Sequence, residues 1–213
     1  MKDARFAKFV VGVNGAVPLA ILGWDAWRHQ LGANPIAYAL HTTGMLALVF
    51  LMLTLCVTPA RKLSGANVLS HFRRTLGLYA FFYATAHLGI YFVFDRQARF
   101  GAVISDLALR PFIRVGMCTF LLMVPLAVTS TNGMIKRLGG LQWKKLHRLV
   151  YLVAIGGVVH YYEQVKADIR LPLIFAGVLA VLLAFRVVTE ARGAMKRAFL
   201  ARTARMARQS SPA

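Results

Sequence analysis

The stretch TLGLYAFFYATAHLGIYFVF occupies residues 75–94 and contains no charged side chain except for one titratable imidazole, His87. About 20 apolar residues in a helix suffice to cross the hydrocarbon core of a bilayer, which is roughly 30 Å thick. Every backbone polar group in that environment must be bonded within the segment, which a helix achieves. The stretch therefore predicts a transmembrane helix that carries a histidine inside it.

Five further apolar stretches accompany this one. The chain of 213 residues is 58% hydrophobic and has a mean hydropathy of +0.59, which is too apolar for an ordinary soluble domain. We predict an all-α, polytopic membrane helix bundle with one domain over residues 1–213, a core at about 40–190 and a basic tail at 191–213. Six transmembrane helices are predicted, at residues 9–27, 40–58, 75–94, 112–129, 147–162 and 171–189.

The basic residues alternate from one side of the predicted helices to the other. Of the 26 Lys and Arg residues, 18 fall in the first, third, fifth and last of the seven segments outside the helices, and six fall in the other three. This asymmetry follows the positive-inside rule and places both termini in the cytoplasm. It also explains the net charge of +19 without nucleic acid, which we do not expect as a partner.

Two of the histidines are predicted to lie at the same depth in the membrane. Because a helix rises about 1.5 Å per residue, His87 lies about 18 Å from Thr75, in the outer half of its helix. His160 lies near the outer end of another helix and about 20 Å from His147. Facing histidines on neighbouring helices suit the axial positions of haem iron, so the pair predicts an electron carrier. A packed ring bonded to a backbone carbonyl is the alternative for each histidine alone.

The inner half of the bundle is less well defined by the sequence. His147 is an inner-level ligand, or belongs to a shared or flavin-proximal site, and no histidine on the helix of His87 matches its depth. Arg73 and Arg74 stand at that level instead. Their guanidinium groups are suited to haem propionates, because they bind carboxylates through two parallel hydrogen bonds.

Several function classes remain open at this point. The predicted helices leave little room for a nucleotide-binding domain, and no GxGxxG or Walker pattern occurs, so any electrons come from another molecule. The protein could be a cytochrome b subunit of some reductase or a metal reductase. A small transporter or assembly scaffold is a less favoured alternative, since it predicts more buried acids than the sequence contains.

Several motifs together resemble the MsrQ (YedZ) family, which belongs to the ferric-reductase-like transmembrane group. The resemblance covers about residues 30–190. The motifs are FRRTLGLY at 72–79, AHL at 86–88, TSTNGM at 129–134, LHRLVY at 146–151 and HY at 160–161.

This resemblance implies a function in detail. Members are haem b-binding subunits of the bacterial inner membrane and are associated with FMN. They pass electrons from the quinone pool, or from a cytosolic flavin reductase, to a periplasmic molybdopterin-containing methionine-sulfoxide reductase, which repairs oxidised periplasmic proteins. Catalysis then resides in that partner, and the chain itself is an electron-transfer subunit.

The resemblance also implies haem ligands. The family histidines correspond to His87, His147 and His160. In the wider group, the resemblance implies four histidines, two on each of two helices, around two haems. This chain departs from that arrangement because Arg73 and Arg74 occupy the level of the fourth histidine. One haem is therefore expected, and a second is possible only if His147 finds another partner. For the FMN, the polar residues 129–134 with Lys136 and Arg137 could contact a phosphate, although the positive-inside rule explains the same residues.

Overall fold

The computed structural model describes residues 2–209, and in this range the chain is helical without any strand. The last four residues of the predicted tail lie outside the described residues. The helices, in chain order, are α1 (Lys2–Trp27), α2 (Pro35–Ser64), a 3₁₀ turn (Asn67–His71), α3 (Arg73–Ile90) with a π-helical extension (Tyr91–Asp95), α4 (Phe100–Leu109), α5 (Pro111–Val128), α6 (Asn132–Leu138), α7 (Gly140–Leu146), α8 (Leu149–Gln164) and α9 (Arg170–Gln209).

Local signals explain where the longest core helix begins and ends. The Asn34 side chain accepts a hydrogen bond of 3.1 Å from the Ala37 amide, and Pro35 occupies the first turn, where its missing N–H is not needed. Gly65 closes α2 in the left-handed conformation, with φ of 71°, which glycine adopts without steric strain.

Among the described residues, five helical segments are long and apolar enough to cross a membrane, which confirms the all-α, polytopic class. They are Phe9–Trp27, Pro35–Ser64, Asn67–Asp95, Pro111–Val128 and Arg170–Leu200. The fifth predicted span corresponds to α8, which has 16 residues and is thus about 24 Å long. The count of six spans and the cytoplasmic placement of both termini stay predictions.

The core lies where α2 packs against α3 and α5 packs against α8. Leu48, Leu51, Ala80, Val153 and Ala154 are buried there. Many large apolar side chains point outward instead, on faces that lipid would cover in a membrane. The bundle therefore buries a narrow core of small and aliphatic side chains around the site described below.

Helix α1 is tied to α3 by two tyrosines. The hydroxyl of Tyr79 donates to the carbonyl of Gly12, and that of Tyr83 donates to the carbonyl of Gly15 at 2.7 Å. A methyl group on Gly15 would overlap the Tyr79 ring. The glycines of α1 thus allow the aromatic side chains of α3 to reach its backbone.

Three helical features differ from the prediction. Helix α4 lies in a segment predicted as a loop, because its 10 residues are too few to give the signal of a span. Helices α6 and α7 lie in the predicted inner loop of residues 130–148. Helix α9 continues to Gln209, 20 residues beyond the predicted end at 189, because its Ala, Arg, Lys and Met residues favour helix without being apolar enough for a span.

Two ends of the bundle are distinguished below. The basic end is the one where Thr58, Arg73 and Arg186 meet. The opposite end holds Asp95 and Asp106, beyond the far end of α3.

Candidate functional site

His87 on α3 and His160 on α8 face each other inside the bundle. The centres of their rings are 6.1 Å apart, and the ring planes are nearly perpendicular, at 85°. Nδ1 of His87 lies 2.9 Å from the Leu40 carbonyl, and Nδ1 of His160 lies 2.7 Å from the Phe112 carbonyl. A carbonyl only accepts, so each Nδ1 carries the proton and donates. Each neutral ring then keeps an unprotonated Nε2, which is the form that binds metals.

The separation of the two rings fits one metal ion between them. Metal–imidazole nitrogen bonds are about 2 Å long, so two rings that share one metal ion have their nitrogens about 4 Å apart and their centres about 2 Å further apart. Two axial imidazoles on one iron would therefore have centres about 6 Å apart, in agreement with the observed distance. No hydrogen bond to either Nε2 occurs among the described residues, so both atoms are free for such a bond.

A cavity of about 700 Å³ surrounds the two rings. This volume lies within the range of roughly 300–1,000 Å³ that is usual for cofactor sites. Its walls come from α2, α3, α5 and α8 and are mostly apolar, whereas its rim at the opposite end carries Arg96, Arg110, Glu163 and Lys166. The cavity thus suits a flat, apolar cofactor with a polar edge, and a haem has this character. No cluster of three or more His, Cys, Asp or Glu side chains that could hold a metal ion occurs in the described part.

Two glycines make room for the histidine rings. A Cβ atom on Gly44 of α2 would lie 3.1 Å from Nδ1 of His87. A Cβ atom on Gly116 of α5 would lie 2.7 Å from Nδ1 and Cε1 of His160, which is closer than real Cβ contacts allow. Sequence reasoning missed both glycines. Nothing in the sequence shows which glycine of an apolar helix faces an imidazole on another helix.

A buried carboxylate holds the rim of the cavity together. Asp106 of α4 is only 7% exposed and accepts a 2.6 Å hydrogen bond from the Tyr91 hydroxyl. Its two oxygens also lie 2.6 Å from Nε of Arg96 and 3.1 Å from Nε of Arg110. The Arg96 guanidinium in turn lies over the Tyr91 ring, 5.5 Å from its centre. Asp106 is thus a buried structural group and not a surface residue.

Replacing Asp106 with alanine is expected to destabilise the protein by about 2–3 kcal/mol, because Tyr91, Arg96 and Arg110 lose their shared partner. This is below the usual penalty for breaking a buried pair, since the Arg110 side chain is 46% exposed and screened by solvent. Thermal melting of the detergent-purified variant measures the effect. Asp168→Ala is the matched control, because its ion pair with Arg170 is exposed. Equal melting temperatures for Asp106→Ala and the control would contradict the assigned role.

His147 lies at the other level and has no histidine partner. It follows the last residue of α7, and its ring stacks on Trp143 with the centres 3.9 Å apart. Its Nδ1 is 3.1 Å from the Trp143 carbonyl, and Nε1 of Trp143 donates to the carbonyl of Thr129 at 3.0 Å. Nε2 of His147 is buried without a hydrogen bond among the described residues. The ring is therefore held in place with one free nitrogen, as a ligand requires, but a second imidazole does not face it.

Arg73 and Arg74 contact protein groups at the basic end. Nη2 of Arg73 donates to the Thr58 hydroxyl at 2.9 Å, and Nη1 of Arg74 donates to the Asn132 side chain at 2.6 Å. Both arginines are exposed. Thr131 caps the short helix α6 by accepting from the Met134 amide at 3.2 Å, so part of the predicted phosphate loop already serves a structural purpose. Pairing of either arginine with a haem propionate stays a prediction.

Comparison with known proteins places this arrangement in a family. The family model described as "Ferric reductase like transmembrane component" matches residues 43–158. A protein of Xanthomonas oryzae pv. oryzae (strain MAFF 311018), named protein-methionine-sulfoxide reductase heme-binding subunit MsrQ, is 45% identical over 186 residues, covering 84% of this chain and 85% of its own length. The chain belongs to the MsrQ family. A protein with the same name from Xanthomonas euvesicatoria pv. vesicatoria (strain 85-10) is 44% identical and covers 85% of this chain and 85% of its own length. Another, from Herminiimonas arsenicoxydans, is 45% identical and covers 84% of this chain and 84% of its own length.

Membership in the MsrQ family confirms the resemblance that the motifs indicated. The ferric-reductase match includes Gly44, His87, Gly116 and His147 and ends two residues before His160. In this member of the MsrQ family, α8 extends to Gln164 and brings His160 opposite His87. The matched segment therefore contains only one of the two histidines, and their pairing is seen only in the tertiary structure.

Proposed function

We propose that the chain is a haem b-binding electron-transfer subunit of a methionine-sulfoxide reductase system, with His87 and His160 as the residues that would hold the haem iron. The observation that carries this proposal is the pair of rings 6.1 Å apart, each with Nδ1 on a backbone carbonyl. Its biological context comes from the relatives, which are named haem-binding subunits of that reductase. When bound, haem b would supply a centre that accepts and releases one electron at a time.

The residues of this chain set the conditions for that chemistry. The carbonyls of Leu40 and Phe112 hold the two imidazoles in one tautomer and one orientation. The apolar wall around Leu48, Met123 and Val153 excludes water, and this exclusion influences the reduction potential of any bound iron. His147 is an inner ligand, or contributes to a flavin-proximal site, through its free Nε2.

The proposed orientation rests on the charge asymmetry, and the proposed direction of electron flow rests on the family resemblance. We assign the basic end to the cytoplasmic face of the bacterial inner membrane, with six spans and both termini inside. Electrons enter there from the quinone pool or from a cytosolic flavin reductase and leave at the opposite end. The acceptor is a periplasmic molybdopterin subunit that carries out methionine-sulfoxide reduction. FMN is part of this proposal through the family resemblance alone, and residues 129–134 are its proposed contact.

The first experiment is a dithionite-reduced minus oxidised optical spectrum of the detergent-purified protein, with haem and flavin measured per chain. We expect the bands of a low-spin, bis-histidine b haem at about one haem per chain. A second equivalent of haem would assign His147 as a ligand. A colourless protein from haem-sufficient cells would contradict the proposal and favour a transporter or scaffold.

A metal reductase is the second candidate function, favoured by the description of the matching family model. The two functions differ in the electron acceptor. Reoxidation of the dithionite-reduced, haem-loaded protein by the periplasmic methionine-sulfoxide reductase subunit would support the first. Reoxidation by ferric chelates alone would support the second.

A further inference from the structure

Two arginines from different helices converge on one threonine hydroxyl at the basic end. Nη2 of Arg73 on α3 lies 2.9 Å from Oγ1 of Thr58, and Nη2 of Arg186 on α9 lies 2.6 Å from the same atom. Arg61 is placed close by, because it follows Thr58 on α2 by three residues, about one helical turn. Helices α3 and α9 therefore bring two guanidinium groups to one point, where a neutral hydroxyl on α2 is the shared acceptor.

No acidic side chain forms an ion pair with these arginines among the described residues. Glu190 lies one turn beyond Arg186 on α9, but no ion pair joins the two within 4.0 Å. Nε of Arg61 is buried and has no hydrogen-bond partner. All ion pairs among the described side chains lie elsewhere, at Arg96–Asp95, Arg96–Asp106, Arg110–Asp106 and Arg170–Asp168. Arg61 and Arg186 are only partly exposed and form no ion pair, which is unfavourable for a cation, so an anion from outside the chain would complete the cluster.

The position of Arg186 indicates what kind of anion this is. Arg186 is half-buried and lies over the Tyr151 ring, 5.0 Å from its centre, so that its guanidinium is held in place. It comes 16 residues after Arg170, the first residue of α9, and thus about 24 Å along the helix. This distance approaches the roughly 30 Å thickness of the hydrocarbon core, beyond which phosphate groups lie. A titratable side chain inside an apolar span is moreover a candidate for function.

We propose that Arg61, Arg73 and Arg186 form a binding site for a phosphate group at the basic end of the bundle. Guanidinium groups match phosphate oxygens through two parallel, charge-assisted hydrogen bonds, and the Thr58 hydroxyl can donate a further one. The phosphate belongs either to an anionic phospholipid headgroup or to a soluble phosphate compound. The site uses neither His87 nor His160, and it competes with the predicted pairing of Arg73 with a haem propionate.

The test measures the melting temperature of the full-length, haem-loaded protein in uncharged detergent. One arm adds dihexanoyl phosphatidylglycerol, with equal additions of detergent as the reference. The other arm adds inorganic phosphate, with chloride at equal ionic strength as the reference. A higher melting temperature with the lipid alone identifies a site for a lipid headgroup. A higher melting temperature with inorganic phosphate identifies a site for soluble phosphate compounds.

Substitutions then test whether the increase in melting temperature depends on the arginines. Arg186→Gln is expected to weaken the apparent affinity for the effective ligand by about tenfold or more. Arg192→Gln is the matched control, because Arg192 is an exposed cation further along the same helix and its loss should leave the affinity unchanged. Arg61→Gln provides a second variant if Arg186→Gln does not fold, since its Nε has no protein partner to lose.

Three results would overturn the proposal. The first is a wild-type protein that neither ligand stabilises. The second is an Arg186→Gln or Arg61→Gln variant with wild-type affinity. The third is a folded variant that loses haem in proportion to the lost affinity, since the arginines would then belong to a haem site and not to a separate phosphate site. Haem is therefore quantified in every sample.

Discussion

Replacing either His87 or His160 with alanine is expected to remove most of the bound haem b from the purified protein. Each substitution deletes one of the two imidazoles that face each other across 6.1 Å. Among the described aromatic pairs, no third imidazole lies as close to either ring as the two rings lie to each other. The iron would be left with one axial ligand, so retention of haem falls and any haem that remains becomes high-spin.

Haem per chain, from the pyridine haemochrome assay, measures this effect. His41→Ala is the sharpest control, because His41 lines the same cavity but is exposed and contacts Tyr161 at 6.2 Å between ring centres. That variant should keep wild-type haem. If His87→Ala also kept wild-type haem content and spectrum, the proposed ligand pair would be wrong.

Adding a single methyl group at Gly116 is expected to reduce haem content by at least about half. The new Cβ would stand 2.7 Å from Nδ1 and Cε1 of His160, so the ring must move. Any movement disturbs the 2.7 Å hydrogen bond to Phe112 and the alignment with His87. A metal site loses affinity when the partner that orients its ligand is disturbed, typically by about 10–100-fold.

Gly89→Ala is the matched control for Gly116→Ala. Both glycines lie in apolar helices near the histidine pair, but a Cβ on Gly89 would meet no atom within 4 Å. Alanine is favoured over glycine in a helix by about 1 kcal/mol, so Gly89→Ala should keep its haem and be as stable as the wild type or more so. Wild-type haem content and an unchanged reduced spectrum in Gly116→Ala would show that His160 is free to shift, against the close packing described here.

Much of the fold could be predicted from the sequence because the relevant signals are local. Apolar stretches of sufficient length indicated the membrane helices, and five of them meet the criteria of length and composition in the structure. The depth of a residue in such a helix follows from the constant rise per residue, so His87 and His160 could be assigned to one level. Helix α4 and the extension of α9 escaped prediction because neither is both long and apolar.

The identities of the histidines and their common depth were thus determined by the sequence alone. What faces each ring was decided only by the tertiary structure, because the rotation of a helix about its axis depends on its neighbours. The carbonyls of Leu40 and Phe112 and the glycines Gly44 and Gly116 reach the rings from other helices. The convergence of Arg73 and Arg186 on Thr58 has the same origin, since these residues are up to 128 positions apart in the chain and meet only through packing.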